Sequence, residues 1–349
     1  MQSPPMASRR HVNFFAPALL CLGLAACGGG SSSGGDTAPS VSNVSIGFSD
    51  APVEDAARVV ITVDYLEFRT SDGETITVDS FTSSELGITD AETFSVDLLE
   101  IQGNDSRLVL DSVELPVGDY QDLRIGIVDE DINFSYVEET SSGLLKPIKV
   151  PSDELKLGSF TVAATSTQTF VVEFGLRQSM TYNPGPQRYI LKPRGVRVVK
   201  LEDAATISGT VDLDALHMLE PCIAKVDNTV GNVAYLYAGH GLDPTKLGDT
   251  FVREDTGTEP EFDPNVPADI VSPEVVTVID ATDGSYLFSY LLPGDYTLAI
   301  SCEAEGDDPV LWDGLNIPAP QTEVIELSLG VEQDLQCDLP LQGGACANP

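Results

Sequence analysis

Short stretches in which apolar and small or polar residues alternate, separated by turn-forming residues, run through most of the chain and restrict its fold more than any other feature. Val44, Ile46 and Phe48 alternate in this way, and the segment from Arg58 to Arg69 is rich in valine, isoleucine and aromatic residues. This period of two is typical of β-strands, whereas an amphipathic helix repeats its apolar residues every three or four positions. Because the helical pattern is hard to find, except for a short helical turn expected within residues 83–92, the sequence predicts an all-β fold.

The length and the distribution of charge predict two domains. A chain of 349 residues corresponds to about two domains of the usual size. Residues 27–203 carry 13 basic and 29 acidic residues, whereas residues 204–349 carry 3 and 26. We therefore expect one β-sandwich over residues 41–203, a second over residues 204–330, and a cysteine-containing tail over residues 331–349.

A short turn motif occurs once in each half. Leu115–Tyr120 and Leu292–Tyr296 each contain proline and glycine and end on a tyrosine that begins a strand. Proline fixes φ, glycine permits a positive φ, and the tyrosine ring can then pack on the core. The motif predicts a hairpin corner in each of two sandwiches in series, the alternative being a chance recurrence of common turn residues.

The amino-terminal segment has the pattern of an export signal. Arg9 and Arg10 precede an apolar run over residues 12–24, which is too short to span a bilayer as a helix. Leu24-Ala25-Ala26-Cys27 resembles a bacterial lipobox, and this resemblance implies cleavage after residue 26 and lipidation of Cys27. Residues 27–40 then form a Gly/Ser-rich tether. We expect a lipoprotein of the bacterial outer membrane, facing the periplasm or the cell surface; the alternative is an ordinary signal peptide with a coincidental cysteine.

Each half also resembles a known family. IGFSDAPVEDAARVVITVDYLEF, VDLLEIQGNDSRLVLDSVELPVGDYQDLRIGI and VEFGLRQSMTYNPGPQRYILKPRGVRVV, which cover most of residues 44–199, resemble the bacterial lipoprotein domain DUF4382. That resemblance implies an architecture and a location, but no activity. Ile207–Val211, Val233–Tyr237 and the segment from Gly284 to Leu298 resemble the carboxypeptidase-regulatory-like sandwich, from which the long segment over residues 239–273 departs.

Four cysteines remain after Cys21 leaves with the signal and Cys27 takes lipid: Cys222, Cys302, Cys337 and Cys346. An even number in an exported chain predicts two disulfides, with three connectivities open. No Cys-x-x-Cys spacing is present, so a zinc site is disfavoured. In the regulatory-like sandwich the strands that carry Cys222 and Cys302 can be neighbours, and we expect that pair together with Cys337–Cys346.

Catalytic motifs are scarce in the sequence. The net charge of −37 argues against nucleic-acid partners, and His217 and His240 are the only histidines after the signal. We find no Walker loop, no His-Glu-x-x-His motif and no credible nucleophile elbow, and we predict that the protein is not an enzyme and needs no cofactor. Calcium is the one alternative cofactor, because four neighbouring residues offer oxygen ligands: Asp129, Glu130, Asp131 and Asn133.

A basic run closes the first domain and includes Arg188, Lys192, Arg194, Arg197 and Lys200. We interpret it as a solvated, acid-paired sheet face, with a strip that binds a polyanion or a partner as the alternative. Tyr182 and Tyr189 are the only aromatic residues nearby, too few to predict an aromatic binding platform.

Together these features predict a lipid-anchored, non-catalytic binding or structural module with an unidentified protein or glycan partner. The alternatives are a hydrolase that uses carboxylates or calcium, and an assembly subunit of a surface or matrix structure. A hydrolase would have a deep polar pocket with converging carboxylates, a binding module an open groove with exposed aromatic residues, and an assembly subunit an exposed sheet edge. We expect residues 239–273 to be the contact loop, so that deleting residues 241–270 abolishes partner capture and leaves the fold and lipidation intact.

Overall fold

The computed structural model describes residues 40–51, 53, 56–253, 262–339 and 346–348, which form two β-sandwich domains in series. The expected all-β fold is confirmed, since no α-helix among these residues is longer than four residues. The helical turn expected within residues 83–92 is instead a turn followed by the strand Ile88–Ala91. The expected signal over residues 1–26, the lipidation site Cys27 and almost all of the tether lie outside the described residues.

The strands are β1 Val41–Ala51, β2 Ala56–Thr70, β3 Thr75–Val78, β4 Phe81–Ser83, β5 Ile88–Ala91, β6 Phe94–Asp97, β7 Arg107–Pro116, β8 Gly118–Ile127, β9 Tyr136–Glu139, β10 Leu145–Lys149, β11 Glu154–Lys156, β12 Phe160–Val162, β13 Thr167–Gly175, β14 Met180–Asn183, β15 Arg188–Leu191, β16 Val196–Lys200, β17 Ala205–Thr210, β18 Val233–Ala238, β19 Val275–Val278, β20 Ser285–Leu291, β21 Gly294–Ser301, β22 Ile325–Leu329 and β23 Asp334–Gln336. The helices are α1 Leu176–Ser179 and α2 Leu213–Leu216, with short 3₁₀ turns at Leu98–Glu100, Pro151–Asp153, Leu201–Asp203, Cys222–Ala224 and Pro244–Lys246.

The first domain packs a four-stranded sheet on a ten-stranded sheet. The smaller sheet has the order β16-β13-β1-β7, with β1 parallel to β13. The larger runs β11-β8-β2-β9-β10-β15-β14, with β3 and β6 also paired to β2 and β12 to β8. Apolar side chains from both sheets form one core, in which the rings of Phe160 and Phe170 lie 5.1 Å apart.

The second domain has a three-stranded sheet, β20-β17-β23, and a four-stranded sheet, β19-β18-β21-β22. Strand β18 is buried on both faces. Its Ala234 and Leu236 point into the core between the sheets, whereas Tyr235 and Tyr237 point to a second apolar cluster on the outer face. That outer cluster exists because the segment after β18 folds back over the sheet.

This covering segment corrects one expectation from the sequence. Leu247 and Phe251 are buried, and the Tyr237 hydroxyl donates a hydrogen bond to the Gly248 carbonyl at 2.7 Å. Residues 241–270 are therefore not dispensable, and the expectation that their deletion leaves the fold intact is wrong. The polar, proline-rich composition of the segment concealed the few apolar residues that attach it to the sheet.

The repeated turn motif forms the same corner in both domains. The hydroxyl of Tyr120 donates a hydrogen bond to the Pro116 carbonyl at 2.9 Å, and that of Tyr296 donates to the Leu292 carbonyl at 2.8 Å. Both bonds span four residues, as in the tyrosine corner of β-sandwiches. The motif is thus structural in both places, as the sequence predicted.

Replacing either tyrosine with phenylalanine should lower the free energy of unfolding by about 1 kcal/mol, because each change removes one hydrogen bond and keeps the buried ring. Urea unfolding of Tyr120→Phe and Tyr296→Phe measures this loss. Tyr136→Phe is a less buried control, and a loss from it as large as those from both corner variants would contradict the assignment.

The two domains meet through a buried tyrosine. Tyr290 of β20 packs against Val171 and Val199 of the first domain and is 6% exposed. Its hydroxyl donates a hydrogen bond to the Asn104 carbonyl at 2.9 Å. The domains therefore share an apolar contact as well as polar ones.

The basic run at the end of the first domain does not form one solvated strip. Lys192 is 2% exposed, and Arg197 forms an ion pair with the buried Glu173. Arg197 also donates a hydrogen bond to the Ser289 carbonyl of the second domain at 3.1 Å. The interpretation as a solvated face is wrong for Lys192, and Arg197 helps to join the domains.

Candidate functional site

An open groove lies between the two domains, beside β14. Its cavity measures about 420 Å³. One wall comes from the β14–β15 hairpin and the other from the second domain. The first wall includes Thr181, Tyr182 and Ile190, and the second includes Phe262, Val310 and Leu311. We call this cavity the edge groove.

Three large apolar side chains stand exposed around the edge groove. Tyr182 is 42% exposed, Phe262 37% and Leu311 48%. Isolated exposed apolar residues are common on soluble proteins, but several around one concave surface mark an interaction site.

The hairpin wall is held by its strand pairing. Tyr182 lies opposite Tyr189, with ring centroids 5.0 Å apart, and Thr181 lies opposite Ile190. The Asn183 side chain accepts a hydrogen bond from the Gly185 amide at 3.2 Å and so supports the turn.

The opposite wall is a loop fixed by carboxylates. One oxygen of Asp308 accepts hydrogen bonds from the amides of Val310, at 2.8 Å, and Leu311, at 3.2 Å. Asp263 accepts another from the Trp312 amide at 3.2 Å. These carboxylates shape the loop, and among the described residues that line the groove Asp308 is the one acidic side chain.

Next to Asp308 in the sequence, Asp307 belongs to a buried cluster that links the domains. Its side chain is 2% exposed and lies 3.7 Å from the guanidinium of Arg177, which is 11% exposed. Arg177 also donates a hydrogen bond to the Ala304 carbonyl at 2.6 Å, and the Tyr235 hydroxyl donates one to Asp307 at 3.3 Å. Asp249 is also fully buried. We call Arg177, Asp249 and Asp307 the junction cluster.

Burial dominates the electrostatics of the junction cluster. It raises the pKa of Asp307 to about 7, with the charges of Asp249 and Asp313 adding to the rise and Arg177 opposing it. Burial also raises the pKa of Asp249 to about 6, against hydrogen bonds from the backbone near Leu315. A general acid often has a pKa in this range. Neither Asp307 nor Asp249 lines the edge groove, however, so we interpret the cluster as a contact that joins the domains.

A second groove at the domain junction measures about 630 Å³ and is lined by Arg194, Arg197 and Arg253. Each arginine donates a hydrogen bond to a backbone carbonyl, at Gln178, Ser289 and Ile270 respectively. Because these guanidinium groups already serve the fold, the edge groove is the better candidate site.

The calcium candidates lie together after β8, but their oxygens have protein partners. Asp129 accepts a hydrogen bond from the Val150 amide at 2.7 Å, and Asp131 accepts one from the Asn133 amide at 2.9 Å. Lys149 lies 3.1 Å from Asp129, and Glu130 pairs with Arg188. Within the described ranges, no group of three or more acidic, histidine or cysteine residues is arranged to hold a metal ion.

Both disulfides in the structure have the connectivity expected from the sequence. Cys222 is bonded to Cys302, with Cα atoms 5.8 Å apart, and Cys337 to Cys346, with Cα atoms 4.2 Å apart. The first bond ties the segment after α2 to the end of β21.

The two histidines have structural partners. His240 lies 2.8 Å from the Leu327 carbonyl, and His217 lies 3.4 Å from the Asn232 side-chain oxygen.

In the part of the chain that the structure covers, no helix is long and apolar enough to cross a bilayer.

The β14–β15 hairpin, which forms one wall of the groove, belongs to the first domain. Residues 41–193 match the family model of DUF4382. The family is described as a domain of unknown function. The resemblance inferred from the sequence is thereby confirmed for the first domain, and that of the second domain to the carboxypeptidase-regulatory-like sandwich stays a prediction. Comparison with curated proteins gives no match.

Within the matched segment, Ser49, Asp50 and Ala51 at the start of the family resemblance are buried. Ser49 and Asp50 have no exposed surface, and the Ser49 hydroxyl donates a hydrogen bond to the Asp105 carbonyl at 2.7 Å. Burial raises the pKa of Asp50 well above its ordinary value. The Ser49 bond therefore holds the end of β1, and these three residues are not a surface site.

Solved structures give only remote likenesses. The TIE protein of Bacillus anthracis is 10% identical with a TM-score of 0.19, and the match covers 86% of this chain and 34% of that one. The pilus backbone RrgB of Streptococcus pneumoniae is 12% identical with a TM-score of 0.17, over 83% and 57%. The minor pilin GBS52 of Streptococcus agalactiae is 10% identical with a TM-score of 0.17, over 87% and 97%. This chain therefore spans about a third of the length of the TIE protein and somewhat over half of that of RrgB. TM-scores this low support no inference about the function of this chain.

Proposed function

We propose that this protein is a non-catalytic binding module of the bacterial outer membrane, held there by a lipid on Cys27, and that the edge groove is its contact surface for a partner. The observation that carries the proposal is the groove itself, with Tyr182, Phe262 and Leu311 exposed around one cavity. An open groove with exposed aromatic residues is the arrangement expected of a binding module.

The carboxylates near the groove support a non-catalytic role. Asp308 uses one oxygen to hold the Val310 and Leu311 amides, and Asp307 is buried behind the surface against Arg177. A glycosidase needs two carboxyl groups that face the same bound substrate. Among the described residues that line the groove, one carries a carboxyl group, Asp308.

Lipid anchoring is supported by the lipobox-like sequence before Cys27 and by the Gly/Ser-rich tether that follows it. A tether of this composition lets a folded body move away from the membrane surface. The edge groove would then be accessible to partners at a distance from the bilayer.

Photo-crosslinking in the native envelope tests the contact surface. A photoreactive phenylalanine analogue placed at position 182 of the full chain should give a discrete covalent adduct after irradiation. Leu311→Ser should lower the yield at least about tenfold, because it removes apolar surface from the opposite wall. The same analogue at position 142, an exposed loop position, is the matched control and should give no such adduct.

Equal adducts from positions 182 and 142, or a yield that Leu311→Ser leaves unchanged, would show that the groove is not the contact surface. In the same cells Cys27→Ala should abolish acyl labelling and release the protein from the membrane fraction; retention would contradict the anchor. Hydrolytic turnover that disappears in Asp308→Asn would overturn the non-catalytic assignment.

A further inference from the structure

We propose that the edge groove binds an extended, positively charged peptide segment of a partner protein, which adds as a new strand beside β14. This inference rests on the function proposed above, because it takes the groove to be the contact surface and names what occupies it.

The position of β14 provides the first support. It is the last strand in the order of the ten-stranded sheet, and within the described ranges it pairs with one strand, β15. Thr181, Tyr182 and Asn183 of β14 line the edge groove, so the cavity lies next to this strand. An edge strand of this kind offers backbone groups that an extended peptide can pair with.

The register of the β14–β15 pair shows which groups face the groove. The Lys192 amide donates a hydrogen bond to the Ser179 carbonyl at 2.9 Å, and Thr181 lies opposite Ile190. In an antiparallel pair, residues alternate between bonding to the partner strand and pointing away from it. Thr181 and Asn183 therefore bond to β15, whereas the amide and carbonyl of Tyr182 point outward. No hydrogen bond to the Tyr182 backbone is found within the described residues.

The groove also has room and apolar surface for the side chains of an added strand. Strands in a sheet are spaced about 4.8 Å apart, and alternate side chains of an extended peptide point to opposite faces. Thr181 and Tyr182, which point to opposite faces of the hairpin, both line the cavity, as expected of a cavity that wraps a strand edge. Val310 and Leu311 provide the facing apolar wall.

Charge selects the kind of peptide. The chain carries 55 acidic and 18 basic residues, and Asp308 is the charged side chain among the groove residues that the structure describes. A field of this sign attracts cationic partners and repels acidic ones. The same field disfavours a second copy of this chain, whose own β14 is the other candidate occupant.

The test measures binding of a fluorescent peptide of about ten residues that alternates lysine and valine to the full-length protein in detergent micelles. We expect saturable binding that is at least about tenfold weaker for the same peptide with N-methyl groups on alternate residues, because methylation removes backbone donors and keeps charge and side chains. A glutamate–valine peptide of equal length should not bind. Equal binding of the methylated peptide, or of the glutamate peptide, would overturn the proposal.

Two variants at one position separate the backbone from the ring. Tyr182→Ala removes the ring and keeps the outward amide, whereas Tyr182→Pro removes both, and an edge strand tolerates proline where the amide points outward. We expect binding by Tyr182→Pro to be at least about tenfold weaker than by Tyr182→Ala; equal binding by the two variants would overturn strand addition. If Tyr182→Pro does not fold, the methylated peptide decides.

The outcomes distinguish this inference from the proposed function. If Leu311→Ser loses the envelope adduct but the peptides bind without selectivity, the groove remains the contact surface and the proposal of strand addition is contradicted. If the natural protein binds no peptide but sediments as a dimer, and Tyr182→Pro sediments as a monomer, the occupant of the groove is a second copy of the chain and the peptide proposal is overturned.

Discussion

Replacing Arg177 with methionine lowers the free energy of unfolding by about 3–5 kcal/mol near pH 8.5, the usual cost of leaving a buried charge without its partner. Methionine keeps most of the length of the arginine side chain but not its charge. Asp307, whose side chain is 2% exposed, then lies in the domain junction without the guanidinium that stabilises its charged form. Urea unfolding of the full chain measures the loss.

The loss should shrink as the pH falls. Burial places the pKa of Asp307 at about 7 in the folded protein, above its ordinary value of 3.8. Between these values the folded state binds a proton that the unfolded state does not, so stability rises as the pH falls through 7. In Arg177→Met the rise should begin at a higher pH and be larger in total, because Arg177 lowers the pKa of Asp307 in the natural protein.

Arg107→Met is the matched control. Arg107 lies 3.5 Å from Glu100, but the two side chains are 33% and 60% exposed, so the variant should lose less than about 1 kcal/mol at either pH. Asp307→Asn introduced into Arg177→Met should restore much of the stability near pH 8.5. A loss from Arg177→Met that is the same near pH 8.5 and near pH 5.5 would refute the electrostatic account.

The second large effect concerns the disulfide between Cys222 and Cys302. Replacing both cysteines with alanine should lower the free energy of unfolding by about 4.5 kcal/mol, because the bond closes a loop of 80 residues in the unfolded chain. Denaturant unfolding under oxidising conditions measures the change.

The other disulfide provides an internal comparison. Cys337 and Cys346 are 9 residues apart, and the same relation gives about 2.5 kcal/mol for the double alanine variant. Reduction of the natural protein should give a loss at least as large as that from the longer loop alone. A greater loss from the Cys337–Cys346 variant than from the Cys222–Cys302 variant would show that loop length does not decide these contributions.

The features that the sequence predicted well are local ones. The tyrosine corners depend on residues within one turn, so the motif ending at Tyr120 and the one ending at Tyr296 carry their whole structure in a few positions. The strand around Val44 likewise shows its buried face through simple alternation. Such patterns are readable because the residues that interact are neighbours in the chain.

The candidate site was not predictable in the same way. Tyr182 was too isolated in the sequence to indicate a binding platform, and its partners across the groove, Phe262 and Leu311, follow 80 and more residues later in polar loops. Arg177 gave no signal either, because its partner Asp307 belongs to the other domain. Long-range packing between domains decides these contacts, and no local pattern encodes it.

The placement of β1 has a mechanical consequence. This strand lies inside its sheet, paired from Asn43 to Ala51 with β13 on one side and from Val41 to Phe48 with β7 on the other. A force applied to its amino end along the strand axis therefore acts in shear on both ladders at once, rather than peeling hydrogen bonds one by one from an edge. A body tethered before Val41 and pulled by a captured partner would bear that load on a strand that is hydrogen-bonded along both of its edges.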